Sequence, residues 1–170
     1  IEASAGAGVC RFLAAGTSHE YGTAADKYSR IPPDAPLEPL TPYGASKAAA
    51  FNILRAFSIE AGIELFYGRI FSAYGDGQFV GNFWPSLKRA ALAGEDFSMT
   101  SGRQVTDFIH VKEVAFHILR ACTRTDIRPG LPLVTNIGSG KSRKLSSFAE
   151  EQWQVLQAKG SLRLSALPAF

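Results

Sequence analysis

The chain has 170 residues, a formal net charge of +3, 46% hydrophobic and 19% charged residues, the profile of an ordinary globular α/β protein with a real apolar core. So small a charge, spread along the helical stretches with Lys141, Arg143 and Lys144 as its one tight group, gives nucleic-acid binding little support. No run approaches the ~20 uninterrupted apolar residues that cross a bilayer, and IEASAGAGVCRF has neither a basic leader nor a cleavable signal, so the cytosol is the expected address.

The opening small-residue segment has no initiator methionine and reads as the tail of a helix already in progress, so a truncated N-terminus is expected. Val9 to Ala15 (VCRFLAA) suits a buried parallel strand that delivers Gly16, Thr17 and Ser18 at its C-terminal end, where open α/β sheets bind ligands. A loop rich in proline and acidic residues follows. Thr41 then caps a helix with Pro42 at its first position, running to Ala61 and stopping at Gly62. Ile63 to Phe71 (IELFYGRIF) is the next strand, with a turn over Tyr74 to Gly77. Pro85 to Ala93 reads as a helix, Phe97 to Thr100 as a short strand, and Val111 to Cys122 as an amphipathic helix. Leu133 to Ile137 reads as a buried strand and Leu145 to Ala158 as the last helix. The alternation predicts a mainly parallel sheet with covering helices. Cys10 and Cys122 belong to no CxxC or Cys/His cluster and are expected to be reduced and structural.

Two segments offer chemistry. Tyr43 and Lys47 in TPYGASK lie four apart, so both leave one face of a helix. A free tyrosine titrates near pH ~10, so its use as a base near neutrality requires a stabilised phenolate, which an ammonium one turn away supplies. The same spacing also describes an ordinary solvent-facing pair. In GTSHEYG, Thr17 and Ser18 can present hydroxyls to a substrate oxygen at the sheet edge, or can tie down their own turn.

The order GTSHEYG, PYGASK, GRIFSAYGDGQ, GRQVTDFIHVKEVA, NIGSGK resembles the extended short-chain dehydrogenase/reductase family, the NAD-dependent epimerase/dehydratase group, from the first residues to about Ala158. The resemblance implies a partial Rossmann-like, doubly wound, mainly parallel α/β sheet with a small C-terminal substrate-binding region. Residues 1–75 would be the later part of the dinucleotide-binding domain. Residues 76–170 would be mostly substrate-binding, with 111–137 returning to the sheet. It further implies Tyr43 as acid/base, Lys47 as the residue that binds the nicotinamide ribose and stabilises the phenolate, and Thr17 as their hydroxyl partner. Ile70 and Phe71 would lie beside the nicotinamide of NAD or NADP. Ser18, His19 and Ser72 would face a nucleotide-diphosphate sugar, Asn82 and Phe83 its diphosphate, and Ser98, Met99 and Thr100 its base. A homodimer paired through the Tyr43 helix is implied, with Ala48, Ala49, Phe51, Leu54 and Phe57 as its surface unless that face covers the sheet.

Departures from the family pattern shape the expectation. The GxxGxxG turn that cradles the pyrophosphate is absent, which puts on the order of 80 to 100 residues upstream and leaves this stretch alone unable to hold NAD well, turn over or stay soluble. Ser18 and His19 replace the Asp-Glu pair of dehydratases, which disfavours water elimination. Thr106 replaces an arginine that clamps the diphosphate, with Lys88, Arg89 or Arg103 as substitutes. His110 and His117 read as structural, His117 packed or capped on its helix, and no metal is assigned. The expected function is nucleotide-sugar epimerisation through a transient keto-sugar. The alternatives are a 4-ketoreductase of the same substrates and, in another class, a non-catalytic nucleotide-binding or scaffold remnant.

Overall fold

A computed structural model describes residues 2–167. Ile1, where the first expected domain starts, and residues 168–170, where the second ends, lie outside the described residues. In chain order the elements are α1 (Glu2–Gly6), β1 (Arg11–Thr17), α2 (Pro42–Ala61), β2 (Glu64–Ile70), β3 (Ser72–Tyr74), α3 (Phe83–Ala93), β4 (Phe97–Ser98), β5 (Val105–His110), α4 (Val111–Cys122), β6 (Leu133–Ile137), β7 (Ser142–Lys144), α5 (Leu145–Val155) and β8 (Leu162–Arg163). Short helical turns Ser18–Glu20 and Thr23–Lys27 lie in the loop after β1. The chain divides into two units: the residues up to Phe71 with Glu113–Ile137, and Ser72–Lys112 with the residues from Gly138 on.

The first unit is built on a three-stranded parallel sheet in the order β1-β2-β6. Its middle strand buries Leu65, Phe66 and Tyr67 almost completely, as a strand covered on both faces must. The pairing runs from Arg11↔Glu64 to Thr17↔Ile70, which carries β1 two residues beyond the expected Ala15 and makes Thr17 its last residue. Helix α2 has the expected bounds. Thr41 accepts from the Gly44 N–H at 3.1 Å, Pro42 occupies the first turn, and Gly62 closes the helix in the left-handed region at φ 63°. Its inner face buries Ala48 and Phe51, whose ring lies 4.6 Å from that of Tyr67. These two members of the expected pairing surface therefore cover the sheet, because an aromatic residue and a small one fit the groove above Tyr67. Ile53 and Ile59 are the large aliphatic residues that α2 exposes.

Helix α4 also has its expected bounds, and the Arg11 guanidinium donates to the carbonyls of Ala121 and Cys122 at its end. Both cysteines are free and exposed, which corrects the expectation of structural thiols: each sits at an element end, where packing has stopped. His117 is exposed on α4 rather than packed. Among the described residues no helix is long and apolar enough to cross a membrane.

In the second unit β3 pairs parallel with β5, and β5 antiparallel with β7. Helices α3 and α5 enclose Leu87, Ala90, Ala91, Met99, Ala149 and Trp153. Asp107 of β5 ties down the turn after β6. It accepts from Ser139 N–H at 2.8 Å, Ser139 Oγ at 2.6 Å and Gly140 N–H at 2.7 Å. Strands β3, β5, β7 and β8 were not expected, since each is short or interrupted by polar residues. Helix α3 starts earlier than Pro85, at Phe83, and α5 stops at Val155 rather than Ala158.

Candidate active site

The first unit gathers the proposed proton-transfer residues at the C-terminal end of β1. Lys47 donates from Nζ to the Ala15 carbonyl at 2.6 Å, which pins the first turns of α2 to that strand end. One turn earlier, Tyr43 is 56% exposed. The His19 ring meets the Tyr43 ring edge-on at 5.9 Å. This closeness depends on Gly44, because a Cβ there would stand 2.6 Å from the His19 carbonyl oxygen. Ile70 is level with Thr17 across the sheet, and Phe71 donates its N–H to Ile137 O at 2.9 Å.

Thr17 is buried and caps the following turn. Its Oγ1 accepts from His19 N–H at 3.4 Å, while its own N–H donates to Glu20 Oε1 at 2.8 Å. The hydroxyl hydrogen stays available for a further acceptor. Ser18 is half-buried and His19 exposed beside it.

Sequence reasoning missed what lies beneath this turn. Glu20 and Arg69 form a fully buried ion pair, Nε to Oε2 at 2.7 Å. Tyr67 donates its hydroxyl to Glu20 Oε1 at 2.8 Å, and the Arg69 guanidinium donates to the Tyr21 hydroxyl and the Pro33 carbonyl. The guanidinium also sits 4.6 Å from the Phe51 ring centre and 4.9 Å from that of Tyr21. Tyr21 in turn donates to Asn136, whose amide holds the Ile31 carbonyl. Burial first, and for Tyr67 the hydrogen bond to Glu20 next, push both phenols above the ordinary tyrosine range. The available signal was Arg69 itself, a charge in the middle of an apolar strand, which demands a buried partner.

The second unit holds the residues expected to face a nucleotide. Ser72 and Thr106 share a hydroxyl hydrogen bond at 3.0 Å, so the residue expected to face the sugar satisfies the one that stands in place of the clamping arginine. Asn82 is exposed at the start of α3, and Phe83 packs edge-on against Phe97 at 5.8 Å. Ser98 is exposed and Thr100 half-buried, whereas the Met99 side chain lies in the apolar core. An open hollow of about 340 Å³ is lined by Asp76, Gln78, Trp84, Lys88, Arg89 and Leu92. Lys88 is held there by Asp76 at 2.6 Å and lies over the Trp84 ring, while Arg89 and Arg103 are exposed. Among the described residues no group of His, Cys, Asp or Glu could hold a metal ion.

Residues 1–138 match the model of the NAD dependent epimerase/dehydratase family. A dTDP-glucose 4,6-dehydratase of Xanthomonas campestris pv. campestris is 33% identical over 104 residues, 61% of this chain and 29% of that protein. The low-salt glycan biosynthesis protein Agl12 of Haloferax volcanii is 29% identical over 164 residues, 94% of this chain and 49% of that protein. The chain thus spans no more than about half the length of these curated relatives. The solved structure of MoeE5 in complex with UDP-glucose and NAD superposes with a TM-score of 0.81 at 30% identity, covering 96% of this chain and 54% of that one. The α/β, Rossmann-like fold with its parallel sheet is common to both.

Proposed function

We propose, because the chain belongs to the NAD-dependent epimerase/dehydratase family, that it carries the proton-transfer residues of a nucleotide-sugar epimerase working through a transient keto-sugar. The observation that carries this reading is the Lys47 ammonium, fixed on Ala15 O at 2.6 Å one helical turn from the exposed Tyr43. Lys47 has two N–H donors left, and with the Tyr43 hydroxyl they suit the ribose and nicotinamide end of NAD or NADP, with Ile70 and Phe71 alongside. The glycine-rich pyrophosphate turn is not in this sequence, so the fit concerns that end alone. When bound, the dinucleotide supplies the acceptor and donor of hydride at a sugar carbon.

The chain's own residues handle the proton. Tyr43 removes it from the sugar hydroxyl as the carbonyl forms, and returns it when the sugar is reduced on its other face. Lys47 stabilises the intervening phenolate by its charge, and the Thr17 hydroxyl donates to the same sugar oxygen. We assign the first unit to the dinucleotide and the second, with Ser72, Asn82, Phe83, Ser98 and Thr100, to the nucleotide-diphosphate sugar. The full-length protein would be a homodimer using the exposed Ile53 face of α2.

One observation favours a second reading, elimination of water. His19 stands beside Tyr43, where an imidazole near neutral pH can act as a base. The test is to incubate the full-length protein with NAD or NADP and a panel of UDP- and dTDP-sugars, following reduced-nicotinamide absorbance and identifying products by NMR. An epimer with no net absorbance change supports the proposal. A stoichiometric absorbance change makes it a ketoreductase, and a product lacking one water makes it a dehydratase. Failure to bind or convert any sugar nucleotide overturns the reading and favours the non-catalytic role.

A further inference from the structure

The Glu20–Arg69 pair takes no part in the proton transfer described above, yet it sits directly beneath the residues that do. Glu20 Oε1 accepts from two donors, the Thr17 N–H and the Tyr67 hydroxyl, both at 2.8 Å. The Tyr67 oxygen is also 3.3 Å from the Lys47 carbonyl. One carboxylate oxygen therefore meets the backbone of Thr17 directly and reaches the backbone of Lys47 through a single phenol, whose one hydrogen points mainly to Glu20 and is shared with the longer contact to the Lys47 carbonyl. The other oxygen is held by Arg69, whose guanidinium is packed against aromatic rings and cannot swing away.

We propose that Glu20 is a positioning residue whose carboxylate holds the Thr17 turn and the Lys47 turn of α2 in fixed relation to each other, with Tyr67 as the link. This rests on the functional reading given above, and names the group that keeps its hydroxyl partner and its acid/base helix aligned.

The chemistry of the site explains why a carboxylate is needed there. All three groups that meet Glu20 are donors, and an ionised carboxylate is an acceptor at every lone pair. A glutamine would have to turn its NH₂ toward either Arg69 or the Thr17 N–H, both of which can only donate, leaving donors face to face. The site is tightly filled. Glu20 is wholly buried, and a Cβ on Gly16 would stand 2.3 Å from the Tyr67 ring and 2.6 Å from the Glu20 carboxylate. No side chain at position 16 fits beside the link.

Tyr67→Phe removes only the linking hydroxyl, keeping the ring against Phe51 and the Glu20–Arg69 pair intact. Glu20→Gln is the harsher second variant. In full-length protein, Tyr67→Phe is expected to move together the ring resonances of His19 and Tyr43, which pack on each other and make no hydrogen bond to Tyr67. It should also lower kcat about tenfold with KM within about twofold, since small misplacements of reacting groups carry penalties of up to ~100-fold. A pair kept only for stability would lower the melting temperature and leave kcat of the folded protein and both resonances unchanged, and that result overturns the proposal. If the wild type converts no nucleotide sugar, the functional reading fails. The two resonances still decide the positioning role: joint movement supports it, and an unmoved pair refutes it.

Discussion

Replacing Arg69 with methionine keeps a long apolar side chain among the rings of Tyr21, Phe51 and Tyr67 and removes the charge together with its bonds to Glu20, the Tyr21 hydroxyl and the Pro33 carbonyl. Arg69 is 1% exposed and Glu20 0%, so water cannot replace the lost partner. Glu20 would keep its bonds from Thr17 and Tyr67 but lose its counter-ion, and breaking such a buried pair costs roughly 3–5 kcal/mol. Against a total stability of about 5–15 kcal/mol that is a large share. For a protein of this size it corresponds to a fall in melting temperature of roughly 6 to 20 °C. Adding Glu20→Gln to Arg69→Met neutralises the orphaned charge while one amide oxygen still faces Thr17 and Tyr67. The double variant should recover about 1–3 kcal/mol relative to Arg69→Met. Thermal melts of the three full-length proteins by circular dichroism measure this directly. A single variant within about 1 kcal/mol of wild type, or a double variant no more stable than Arg69→Met, refutes the reasoning.

Gly44→Ala would set a methyl group 2.6 Å from the His19 carbonyl, and since that atom is backbone, the α2 terminus must move. The variant should lose about 1–3 kcal/mol and disturb the His19–Tyr43 contact, read as a shifted His19 ring resonance. Thr41→Ala removes the α2 cap and should cost about 1 kcal/mol in a melt, with Thr41→Ser restoring it. Tyr21 and Tyr67 have their pKa values raised in the fold, so the stability their neutral phenols contribute is complete below the unfolded value of about 10 and is lost as pH rises from there toward the folded values. Of the 5 tyrosines these two should ionise only as the circular dichroism signal collapses. A tyrosinate titration in which all of them ionise near pH ~10 with the fold intact would contradict the burial argument.

Elements with signals at both ends were legible in the sequence. Helix α2 had Thr41 and Pro42 at its start and Gly62 at its end, and each acts locally on the backbone, so no tertiary knowledge was needed. The apolar runs of β2 and β6 and the amphipathic pattern of α4 carried enough information in the same way. Strands β5 and β7 were hidden because Thr106, Asp107 and Arg143 break the apolar pattern, and Thr106 and Asp107 are satisfied by Ser72 and Ser139, partners distant in the chain. The end of β1 was misjudged because the pairing partner, Ile70 opposite Thr17, sets it. At the site, Tyr43 and Lys47 could be found from helical spacing, while the Glu20–Arg69 pair spans 49 positions that no local pattern connects. Cys10 and Cys122 had apolar neighbours in sequence, but element ends place both at the surface.

The central claim is that Tyr43 moves the proton during nucleotide-sugar oxidation. Turnover of the accepted sugar nucleotide by full-length wild type and by Tyr43→Phe, with folding checked by circular dichroism, tests it most directly. The account predicts a loss of about 10²- to 10⁴-fold in kcat in the folded variant, the usual worth of a positioned acid/base. A folded Tyr43→Phe protein that converts substrate at the wild-type rate would contradict it.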